Sequence, residues 1–218
     1  MSLEHRELRQ RQEGNIAGAE IAHVLREQFG DVPLPSGEAL VEVKRFSLEA
    51  REVLEKEGYV VHTLTGQSIK SLRESGRKFW STWHKDYPNL EALTSKRSEV
   101  AVNPKQLFLP KSNRKTLAEQ EAMVEEFSKK LGRKIKGVKA IIGEAPDYAE
   151  LAFLHFEATD ERLFGQKYNY DYIRTETPLA GVRVALVGHF DGLGLYVDRW
   201  DRGDGGGDVW VAPLVVPA

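Results

Sequence analysis

The sequence predicts an α+β fold, with mixed helices and strands first and an antiparallel β-meander at the C-terminal end. Three observations carry this. The 218 residues are 41% hydrophobic and 29% charged, an ordinary balance for a folded chain with a real core. Up to about residue 160, segments with helical spacing alternate with short β-branched runs. From about 166 the helical period disappears, and four strand-like runs follow: QKYNYDYIRT, VRVALVGHF, GLYVDRW and DVWVAPLVV. Residues 1–14 read as a polar arm and 15–218 as a single α+β domain. The alternative is a pair of sub-lobes, 15–143 and 166–218.

Each element has a local reason. Asn15 caps a helix that Gly30 closes, with Ile16, Ile21, Val24, Leu25 and Phe29 on its apolar side. DVPLPSG is a linker, and ALVEVKRF alternates as a strand. Ser47 caps a short helix, Leu48, Val53 and Leu54 face inward, and Gly58 stops it. YVVHTLT is a strand. The spacing of Ile69, Leu72, Gly76, Phe79, Trp80 and Trp83 predicts one helix over 67–87, ended by Pro88, with its aromatics in the core. SEVAVNPKQLFLP holds one or two short strands broken by Pro104. Thr116 and Glu119 form a capping box for a helix striped by Leu117, Val124, Phe127 and Leu131, closed by Gly132. GVKAIIG is a buried strand. For the segment 147–158 a buried helix is expected, with a strand as the alternative.

The last hairpin can be read in register. Asp191-Gly192 suits a two-residue turn. Phe190 then pairs with Leu193 and Leu186 with Val197, and Val182, Val184, Leu186, Phe190, Leu193, Leu195 and Val197 share the core face. Arg183 falls opposite Trp200 and diagonal to Asp198, and Asp191 is a turn residue that does not converge with His189.

Composition excludes several classes. A net charge of -2 does not suit a protein that coats DNA, so any nucleic-acid role needs a local patch. Zero cysteines exclude disulfides, thiolate zinc sites and cysteine nucleophiles. No apolar signal segment and no membrane-length apolar run are visible, so a soluble, cytoplasmic protein without a membrane role is expected. No P-loop, dinucleotide fingerprint, nucleophile elbow or H-E-x-x-H motif is present, and no cofactor is expected.

Four groups of residues could carry chemistry. The segment from Lys105 to Lys139 has ten basic residues against four Glu, a net of +6. Lys111, Arg114 and Lys115 precede the capped helix, and Lys129, Lys130, Arg133, Lys134 and Lys136 end it, two patches about 24 Å apart along the axis. The second patch complements the helix dipole; the first opposes it and would suit an anion. Tyr168, Tyr170, Tyr172 and Arg174 share one strand face that could stack a ligand. His189 is a candidate general base. Asp201, Asp204 and Asp208, near Asp198, are candidate metal ligands, although their spacing matches no calcium loop and polar turns are the favoured reading.

These features point first to a non-catalytic binding or regulatory protein, its partner a protein or an anionic polymer. The alternatives are nucleic-acid or phosphate binding through the basic 105–139 region, and a metal-dependent hydrolase using His189 and the Asp-rich 198–208 segment. The sequence leaves enzymatic activity and oligomeric state undecided.

Overall fold

The elements run α1 (Leu48–Lys56), β1 (Val60–Thr65), α2 (Ile69–Glu74), a 3-10 turn (Trp83–Asp86), α3 (Pro88–Ala92), β2 (Arg97–Val102), a second 3-10 turn (Pro104–Gln106), α4 (Leu117–Lys134), β3 (Val138–Ile141), α5 (Ala145–Thr159), β4 (Tyr172–Pro178), β5 (Arg183–Asp191), β6 (Gly194–Asp201), β7 (Val209–Trp210) and β8 (Leu214–Pro217). This is a computed structural model that describes residues 42–80, 83–164 and 171–218. The expected arm, the helix over 15–30 and its linker lie outside the described residues. Residues 42–218 cluster as one unit.

The α+β expectation holds. One antiparallel sheet has the order β1-β2-β8-β3, and a second has the order β6-β5-β4-β7. Side chains of a strand alternate between faces, and here both faces of the first sheet are covered. Val100, Val102, Leu214 and Val216 pack with Leu151, Ala152 and Phe153 of α5. Ala101, Ala140 and Val215 turn the other way, onto Leu117, Val124 and Leu131 of α4 and Ala50 and Leu54 of α1. Ile173, Ala185, Val187, Leu195 and Val197 of the second sheet close over the same cluster as α5. That helix is therefore buried nearly all round, which explains why its sequence reads apolar on every side and why 147–158 is helix. Tyr148 anchors it, donating from its hydroxyl to the Ala212 carbonyl at 2.6 Å and accepting from the Gly143 amide at 3.0 Å.

Most locally encoded starts and stops are present, but Gly132 does not close α4, which runs on to Lys134 and ends at Ile135, whose amide bonds the Leu131 carbonyl. The Ser47 hydroxyl accepts from the Ala50 amide, and Gly58 follows α1 at φ 84°. Thr116 and Glu119 form the reciprocal box that opens α4. Accepting the Thr116 amide, with further help from Lys115 and the Thr116 hydroxyl, lowers the Glu119 carboxyl to about 2.

Five expectations are corrected. Residues 67–87 do not make one helix: α2 ends at Glu74, Gly76 takes φ 91°, and Phe79 pairs with Leu195. Trp80 is 46% exposed and belongs to no core stripe. Residues 42–46 contribute only an isolated bridge, Lys44 to Ser98, where a strand was expected. In α1, Leu48 and Val53 are exposed and Ala50 and Leu54 are the inward pair. The last run, DVWVAPLVV, is two strands in two sheets: β7 lies parallel to β4, and β8 crosses to the first sheet between β2 and β3.

The hairpin register is also shifted. Asp191 pairs with Gly194, Phe190 with Leu195, Val187 with Val197 and Leu186 with Asp198, so Gly192-Leu193 forms the tip. A bulge at His189, whose φ is 48°, supplies the extra residue. Ala185 and Val187 therefore face α5, while Val182 and Leu193 are exposed. Arg183 lies opposite Asp201, and Asp198 lies across from Leu186.

Candidate functional site

Beside the β5–β6 hairpin lies a cavity of about 350 Å³, within the usual range for small-molecule pockets. Its apolar lining comes from two elements. Phe153 and Phe156 are one helical turn apart on α5, and Phe190 is the first residue after the β5 bulge. The rings meet edge to face, Phe153–Phe190 at 5.2 Å and Phe156–Phe190 at 5.5 Å between centroids. The rim is charged: Arg77, Lys78 and Arg162 against Glu157 and Asp191.

The wall at 77–80 exists through a non-local pairing. The Leu195 amide donates to the Lys78 carbonyl at 2.9 Å, and the Trp80 amide donates to the Leu195 carbonyl at 3.1 Å. Gly194 permits this approach, because a Cβ there would lie 2.6 Å from the Lys78 carbonyl oxygen. Arg77 is locked by two hydrogen bonds to Glu157, at 2.8 and 3.0 Å. Asp191 accepts the Leu193 amide at 2.7 Å and lies 3.5 Å from His189 Nε2. The expectation that His189 and Asp191 do not converge is thus corrected, and the bulge is the reason. Asp160 ends α5 in the left-handed conformation, and Arg162 then lies over the rings of Phe156 and Phe190, 4.9 and 5.5 Å from their centroids.

The candidates from the sequence lie elsewhere. Arg174 does not stand on an exposed stacking face: it is fully buried and donates to the Lys115 carbonyl at 3.1 Å and the Asp204 carbonyl at 2.5 Å. Burial pushes its guanidinium below its ordinary range, and the charges of Asp201 and Asp204 oppose that shift. It clamps together the two loops that looked like separate sites. The Arg114 amide donates to the Gly206 carbonyl, the Asn113 side chain to the Gly207 carbonyl, and the Leu117 amide to the Arg202 carbonyl. Gly205 lies so close that a Cβ would meet the Arg114 carbonyl carbon at 2.4 Å. Lys111 and Arg114 hold positive φ, 63° and 58°, within this tight loop.

The basic clusters occupy opposite ends of α4. Lys115, Lys129 and Lys130 pair with Glu119, Glu125 and Glu126 along the helix, and Lys134 pairs with Glu57; Arg133 and Lys136 are exposed. Asp201 accepts the Gly203 amide at 2.8 Å, and the carbonyls of Asp204 and Asp208 receive Arg174 and the Tyr172 amide. Among the described residues, no group of three His, Asp or Glu is arranged to hold a metal ion. Tyr168 and Tyr170 lie outside the described residues. Tyr172 stands edge-on to Tyr196, which stacks on Trp80 at 4.1 Å and approaches His189 at 5.3 Å. Two further histidines form a buried pair, His62 Nε2 to His155 Nδ1 at 3.2 Å, and burial next to His155 lowers His62 to about 4.

The sequence places Phe190 on the core face and 147–158 in a buried helix; Phe153 and Phe190 are indeed core, and the same rings also line the pocket. The available signal was the abrupt change after Phe156 from apolar to Glu157, Asp160, Glu161 and Arg162. No helix among the described residues is long and apolar enough to cross a membrane. Comparison with protein-family models, curated proteins and solved structures finds no match for this chain.

Proposed function

We propose that this chain is a ligand-binding protein whose site is the pocket between α5 and the β5–β6 hairpin, taking a small molecule with an aromatic or apolar body. The observation that carries the reading is the cavity lined by Phe153, Phe156 and Phe190 with charged groups confined to its rim. Small-molecule sites combine an apolar wall with a few placed polar groups in this way. The reading keeps the cytoplasmic setting expected from the composition, and a regulatory role in which the ligand reports to a partner protein. It is favoured over a basic nucleic-acid surface because four of the eight basic candidates carry a carboxylate partner and the two clusters lie at opposite ends of α4.

The test is calorimetric titration with a graded series of small aromatic probes. Wild-type protein should bind at least one member at sub-millimolar concentration. Phe156→Ala, at a half-buried position, should weaken binding at least tenfold, with an unchanged melting temperature separating loss of the site from loss of the fold. A variant that binds as wild type does would refute the assignment of this pocket.

A further inference from the structure

The pocket's charges do not balance. Both carboxylates of the rim are committed: Glu157 holds Arg77 through two hydrogen bonds, and Asp191 holds the hairpin tip and faces His189. Arg162 has no such partner. Among the described residues no carboxylate lies within ion-pair distance of it, and its Nε is shut from solvent with no hydrogen-bond acceptor. What holds it is the face of two rings, Phe156 and Phe190. A guanidinium attracted to an aromatic face keeps its in-plane N–H donors, and those donors favour a planar bidentate acceptor. Lys78 adds a second exposed cation at the same rim.

Resting on the binding reading above, we infer that the ligand is an amphipathic carboxylate: an apolar or aromatic body against Phe153, Phe156 and Phe190, and a carboxylate received at the Nη edge of Arg162. Arg162 is then the residue that sets specificity. It separates acids from neutral molecules of the same shape, while the phenylalanines set affinity for the body. A charged partner in a partly water-excluded site gives discrimination that a hydrophobic wall cannot.

The experiment compares 3-phenylpropionate with 3-phenylpropanamide, which have the same body and differ in charge, on wild-type protein and on Arg162→Gln, Arg162→Lys and Lys78→Gln. Wild type should prefer the acid by at least tenfold. Arg162→Gln should abolish that preference by weakening the acid far more than the amide, and Arg162→Lys should keep part of it. Lys78→Gln should reduce it by less than threefold. Equal wild-type affinity for acid and amide would overturn the inference and leave the binding reading intact, as would a preference that survives Arg162→Gln or disappears in Lys78→Gln. Binding of neither probe, with pocket amide resonances unmoved, would overturn both. Unchanged melting temperatures in the Arg162 variants establish that a loss reflects the site and not the fold.

Discussion

Replacing Arg174 by Met tests how the C-terminal loops are held. Met keeps the apolar stem and removes only the guanidinium. Two charged-donor hydrogen bonds are lost, to the carbonyls of Lys115 and Asp204. Bonds of this kind contribute about 1.5–3 kcal/mol each, so the gross loss is roughly 3–6 kcal/mol. Relief from burying a cation whose Nε has no acceptor offsets about 1–3 kcal/mol of that. The net expectation is a loss of about 3 kcal/mol, or a fall in melting temperature of roughly 6–12 °C for a chain of this size. Urea unfolding gives the free energy, and hydrogen exchange gives the location. The amides of Arg114 and Leu117, which bond to Gly206 and Arg202 across the junction, should lose protection while those of β1 and β2 keep theirs. A change below about 0.5 kcal/mol, or unaltered protection at Arg114 and Leu117, would refute the clamp.

Three further outcomes follow from the same structure. His62 titrates near 4 when folded and near 6.5 when unfolded, so the unfolded chain binds more protons between those values. Its stabilising contribution is complete above pH 6.5 and is lost as pH falls toward 4, by at most about 3 kcal/mol; denaturation midpoints across that range should decline, and the decline should flatten in His62→Gln. Thr116→Ala should cost about 1 kcal/mol through the lost side-chain cap of α4, and because the residue-116 amide and Lys115 still reach Glu119, NMR titration should show its carboxyl rising only part of the way from about 2 toward its ordinary range. Gly194→Ala places a methyl 2.6 Å from the Lys78 carbonyl at φ 129°, so it should lower the melting temperature and weaken probe binding together by displacing the wall at 77–80.

What was legible in the sequence was what neighbouring residues decide among themselves. The capping box at Thr116, the Ser47 cap and the Gly58 stop are interactions within one turn, and each is found where its residues predict. The errors fall where a distant segment overrides the local period. Phe79 and Trp80 fit a helix by spacing, but β6 offers an edge whose hydrogen bonds residues 78–80 satisfy, and Gly76 lets the chain leave α2 to reach it. The hairpin register failed at the turn, which lies at Gly192-Leu193 and not at Asp191-Gly192, and again at His189, because a non-glycine side chain at positive φ has no signature in the pattern. That residue re-aimed Phe190 into the pocket and brought His189 toward Asp191. The loops 110–116 and 201–208 looked like a basic site and an acidic one; their side chains and carbonyls bind each other around Arg174, whose burial no charge count could show. The pocket was hidden for the same reason, since its three rings come from α5 and β5 and its wall from a third segment.

The most direct test of the central claim is an amide chemical-shift map of the ¹⁵N-labelled protein titrated with 3-phenylpropionate. The pocket assignment predicts saturable shifts concentrated at Glu157, Arg162, Phe190, Asp191, Gly192 and Gly194. Shifts centred instead on Lys111–Lys115 or on 201–208, or no shifts at millimolar probe, would contradict it.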